Sequence, residues 1–70
     1  MKTFRMADVE KIEKMMAEGK TVEIEWSQPY EEGIKTDIVK SVRWDGLVFT
    51  ETNDAVFTGI DKLVEIREIA

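Results

Sequence analysis

Seventy residues carry ten Lys and Arg against fifteen Asp and Glu, a formal net charge of −5, with no cysteine, no histidine and one proline. That composition excludes a Cys/His zinc site, a disulfide framework, a thiol nucleophile and an imidazole base. The apolar share of 43% is that of a folded domain, while no apolar run is long enough for a membrane span or a signal-peptide core.

No repeat, linker or low-complexity tract interrupts residues 1–70, so they are read as one domain. The first element is a helix over Met6–Glu18. At 100° per residue Met6, Val9, Ile12 and Met16 fall in a stripe of about 120°, with Met15 and Ala17 on its flanks. Gly19 follows where a left-handed cap belongs, and either Asp8 or a turn around Thr3 supplies the start.

From Thr21 the period changes to two, Val22, Ile24 and Trp26 alternating with Thr21, Glu23 and Glu25 as in a strand with one wet face. Ser27–Gly33 reads as an exposed connection. Alternation resumes at Ile34, with Thr36, Ile38, Val42 and Trp44 on one face, Lys40 interrupting it and Val39 alone on the other. Asp45-Gly46 predicts a two-residue type I′ hairpin, which pairs Trp44 with Leu47, Val42 with Phe49 and Lys40 with Glu51 on one face. The reverse face would pair Arg43 with Val48, Ser41 with Thr50 and Val39 with Thr52. Trp26, Trp44 and Phe49 then point inward, and Phe57 lies opposite Val56. Asn53-Asp54 marks a second turn, Ala55–Thr58 a short strand, Gly59-Ile60-Asp61 a bend, and Lys62–Ile69 a last strand with apolar residues on both faces.

The order is α+β: one N-terminal helix packed on a strongly bent four- or five-stranded antiparallel sheet. That order is read as a bent sheet or small open barrel with the helix plugging one end, and it resembles the small SH3-like and Sm-like barrels, which compress five short strands into about this length, the latter after an N-terminal helix. The resemblance is one of layout and carries no diagnostic motif, so RNA binding and ring assembly are not transferred with it.

No chemistry is evident. Ser27 and Ser41 have no histidine to deprotonate them, and the four glycines are dispersed at turns and caps rather than gathered in a phosphate-binding loop. No calcium-loop spacing occurs. The chain is therefore expected to be non-catalytic, without cofactor or metal.

Charge is uneven. Residues 21–37 hold five acids against Lys35, and residues 45–61 hold four acids and no base. Glu23 and Glu25 share the wet face of one strand, Asp37 belongs to the same acidic stretch, and Glu31, Glu32 and Asp54 lie on turns. Tyr30, between Pro29 and two glutamates, has the surroundings of an interface anchor. These seven residues form the candidate partner-binding set. The matching function is a protein-interaction module, in its sharpest form a small acidic inhibitor or accessory protein that docks on a basic, nucleic-acid-binding surface of another protein. A homo-oligomer formed through the last strand and an Sm-like nucleic-acid-binding domain are the alternatives. Direct nucleic-acid binding is disfavoured, because the basic residues of the helix side are interleaved with acids. No membrane association is expected, and the cytoplasm is the expected compartment.

Overall fold

The computed structural model describes residues 1–69. In chain order the elements are β1 (Lys2–Thr3), α1 (Met6–Ala17), β2 (Thr21–Ser27), β3 (Lys35–Val42), β4 (Val48–Thr50), β5 (Ala55–Val56) and β6 (Lys62–Ile69). The strands form one antiparallel sheet in the order β1-β6-β2-β3-β4-β5. The α+β reading holds. The sheet has six strands rather than four or five, because Lys2–Thr3 pairs with Leu63 and Lys62; two residues are too few to leave a pattern. It is open, with β1 and β5 as its edges.

The helix starts from main-chain and carboxylate contacts. Arg5 N–H donates to Asp8 Oδ2 at 2.9 Å, while Asp8 N–H donates to the Arg5 carbonyl at 2.9 Å. Asp8 thus sits at the third helical position and closes the first turn from within. At the other end Lys20 N–H donates to Met15 and Gly19 N–H to Met16, a Schellman ending that needs Gly19 at φ +80°. The buried face is Val9 and Ile12, with Met15 and Met16 packed beside them. Met6, expected in that stripe, is exposed.

The core joins these residues to Phe4, Val22, Ile24, Trp26, Val39, Val48, Val56 and Leu63. Two expectations fail here. The β3–β4 loop has three residues, Trp44-Asp45-Gly46, not two: Arg43 N–H donates to the Leu47 carbonyl at 2.8 Å and Gly46 N–H to the Arg43 carbonyl at 2.9 Å. Of the three only Gly46 has positive φ, +89°, so this is a type I turn closed by a left-handed residue. One extra loop residue reverses which side of β4 faces inward. Val42 now opposes Val48, and Ser41 opposes Phe49. Val48 and Thr50 are buried, Phe49 is half-buried on the outer face, and Trp44 stands 91% exposed on the loop.

The second failure concerns β3. Val39 faces the core, whereas Ile34 is exposed and Ile38 half-buried. A bulge at Lys40 lets Val39 and Val42 both turn inward although they are three residues apart. It also leaves Lys40 without its expected partner, since Glu51 N–H donates to the Ile38 carbonyl at 2.9 Å. The bulge marks where β3 changes neighbours, pairing with β2 through Lys35–Ile38 and with β4 through Val39–Val42. Strand β6 spans Lys62–Ile69 as expected. A register shift between Glu25 and Trp26 sets Leu63 opposite Trp26 and Ile66 opposite Ile24. Apolar residues on both faces of β6 therefore reflect a bulge at Val64.

Candidate functional site

The β2–β3 connection is pinned at both ends. Glu31 N–H donates to the Gln28 carbonyl at 3.3 Å, and Gln28 Nε2 donates to the Ala55 carbonyl at 3.3 Å. Lys35 Nζ lies 2.9 Å from Glu31 and 3.1 Å from Asp54, tying the connection to the start of β5. The hydrogen bond to Glu31, then that to Asp54, raises the Lys35 pKa against the opposing effect of burial. Held this way, Tyr30 is 92% exposed.

Facing it is the turn between β5 and β6. Phe57 N–H donates to Asp61 Oδ2 at 2.8 Å, and Asp61 N–H donates to the Phe57 carbonyl at 3.0 Å. Phe4 locks the turn from below: its N–H donates to the Asp61 carbonyl at 2.8 Å and its carbonyl accepts from Gly59 N–H at 2.7 Å. Asp61 is therefore buried, and burial pushes its carboxyl above the usual carboxylate value against the Phe57 hydrogen bond. Phe57 and Ile60 stay 43% and 51% exposed.

Between loop and turn lies a concavity of about 290 Å³ lined by Gln28, Tyr30, Glu31, Phe57, Ile60 and Asp61. Phe57 also walls a second cleft, of about 130 Å³, with Arg43, Asp45, Leu47 and Thr58. Asp45 carries a two-point pair to Arg43, at 2.8 and 2.5 Å, which holds its carboxyl at about 2.

Of the seven candidates, only Tyr30 and Glu31 line this concavity, with Asp54 linked to it through Lys35. The strand carboxylates are engaged elsewhere. Arg67 reaches across from β6 to Glu23 and Glu25, both at 2.6 Å, and to Glu65 at 3.0 Å. The wet face of β2 is thus an ion-pair network, not the bare acidic patch that the sequence suggests. Asp37 serves the fold instead, accepting from Ile38 N–H at 2.7 Å, from Thr52 N–H at 3.3 Å and from the Thr52 hydroxyl. Burial would raise its pKa, but hydrogen bonds led by the Thr52 hydroxyl bring the net direction down. Glu32 is exposed.

Sequence reasoning missed Gln28, Phe57, Ile60 and Asp61 as site residues. The available signal was the bend at Gly59-Ile60-Asp61 directly after a strand, which carries an aromatic and an aliphatic side chain to the surface.

No family model, curated protein or solved structure matches this chain. Among the described residues no group of three or more acids is arranged to hold a metal ion, and no helix is long and apolar enough to cross a membrane.

Proposed function

We propose that this domain is a non-catalytic protein-interaction module whose docking surface is the Tyr30–Phe57–Ile60 concavity, with Trp44 on the adjacent loop. The carrying observation is Tyr30: an aromatic ring left 92% exposed on a connection that hydrogen bonds and an ion pair hold in place. Exposed aromatics on a pre-ordered segment are the commonest binding anchors, because little side-chain freedom is lost on contact. Net charge −5 and the carboxylates around the concavity favour a partner with a basic surface. The reading extends to a small acidic inhibitor or accessory protein, working in the cytoplasm and covering a surface that otherwise holds nucleic acid.

The test is affinity capture from the native host, followed by measurement with the purified partner. Tyr30→Ala combined with Phe57→Ala should weaken binding by about 10- to 100-fold with the fold intact by circular dichroism, as truncation of interface anchors does. Affinity should also fall steeply between low and physiological salt. Equal binding by the double variant removes this surface from the function.

A further inference from the structure

We propose that the concavity between the 28–31 loop and the Phe57–Asp61 turn seats one arginine side chain of the protein partner, its guanidinium against the rings of Tyr30 and Phe57 and facing the carboxylates of Asp61 and Glu31. The inference rests on the docking reading above and names the chemistry that the docking surface selects.

Three observations carry it. The lining joins two exposed aromatic rings with two carboxylates, and a cation over a ring face is attracted most strongly where water is partly excluded. The local charge is unbalanced: Glu31 and Asp54 share the single ammonium of Lys35, and Asp61 on the same wall has no ion pair among the described residues. Three carboxylates against one cation leave the site short of positive charge. Finally, Asp61 is a buried carboxylate of which one oxygen closes the turn on Phe57 N–H, while the other makes no hydrogen bond among the described residues.

Arginine fits better than lysine. Its planar fork stacks on rings and meets carboxylates at two points, whereas an ammonium is compact and strongly hydrated. About 290 Å³ accommodates the guanidinium with part of its stem. A second copy of this chain is a poor occupant because it brings the same net charge of −5. Phosphate backbones would meet carboxylates on the same walls.

The probe is N-acetyl-arginine amide, titrated at low salt into the whole chain and followed by amide correlation NMR, with the citrulline and lysine counterparts alongside. Arginine should shift the amides of Tyr30, Glu31 and Phe57–Asp61 and bind at least about fivefold tighter than uncharged citrulline. Tyr30→Ala and Asp61→Asn should each weaken it about fivefold. Tyr30 is on the surface, so its loss leaves the fold intact, and the Asp61→Asn side chain keeps an acceptor for Phe57 N–H. Equal binding of citrulline, equal binding of lysine, or shifts centred on Glu23, Glu25 and Arg67 would overturn the assignment. Failure here together with loss of partner binding in the Tyr30/Phe57 double variant would leave the docking surface standing and reject arginine as its anchor.

Discussion

Trp26 is fully buried, yet its Nε1–H has no hydrogen-bond partner. An unpaired buried donor costs about 1–3 kcal/mol, so the indole's packing must outweigh that penalty. Trp26→Ala should lose about 3–5 kcal/mol in chemical denaturation, as for large aromatics truncated in a core. Trp26→Phe should lose less than half as much, since it removes the orphan donor and leaves a smaller void. Asp61 and Asp45 make opposite predictions for pH. Burial lifts the folded-state pKa of Asp61, so the folded chain holds that proton more tightly than the unfolded one and stability falls as pH rises through that value. Arg43 depresses Asp45 from 3.8 to about 2, so its contribution is complete above 3.8 and lost as pH falls toward 2. Thermal unfolding should show Asp61→Asn gaining on the wild type as pH rises, and the deficit of Asp45→Asn closing as pH falls.

Between residue and whole chain, the two loops that flank β4 share one design. Arg43–Leu47 and Thr50–Asp54 are both closed by a pair of main-chain bonds around three residues, the third being left-handed: Gly46 at φ +89° and Asn53 at φ +66°. Gly46 is also packed, since a Cβ there would come within 2.5 Å of Met6 Sδ and 3.2 Å of Thr58 Oγ1. Gly46→Ala should therefore cost about 1–3 kcal/mol, the usual penalty for a non-glycine residue in such a conformation, read as a lower denaturation midpoint. This loop also shows where the sequence is legible. Helix periodicity, the Gly19 stop and the alternation Val22, Ile24, Trp26 all carry through to the structure, because each is repeated over several residues. Asp45-Gly46 marks a hairpin correctly but reads as the two-residue form, and one residue of loop length reverses β4. The bulges at Lys40 and Val64 are hidden for the same reason: inward residues spaced three apart, Val39 with Val42 and Leu63 with Ile66, read as mixed faces under a strict period of two. At the site, Tyr30 is legible from its polar, proline-led surroundings. Asp61 is not, because its burial depends on Phe4, at the opposite end of the chain.

For the molecule as a whole, charge is distributed by pairing as well as by exposure. Arg67 bridges Glu23, Glu25 and Glu65, and its hydrogen bond to Glu23 is the main reason its pKa is raised. Arg67→Ala leaves those three carboxylates facing one another, so it should lower Tm, by more in dilute buffer than in concentrated salt. With three carboxylates to one guanidinium the sheet face stays net negative, as does the loop region where Glu31 and Asp54 share Lys35. The terminal strands β1 and β5 offer two residues each, and β1 covers only Lys62 and Leu63 of β6, so residues 64–69 have strand pairing on one side only.

Strand β6 joins β1 to β2 at its first two residues, Lys62 and Leu63, while residues 64–69 pair with β2 alone, and it comes after every other described strand in chain order. A ribosome making this chain releases β1 and β2 long before the strand that joins them exists. The pairings of β6 with β1 and β2 therefore join segments far apart in the chain, the kind of contact that forms slowly because a long loop must close first.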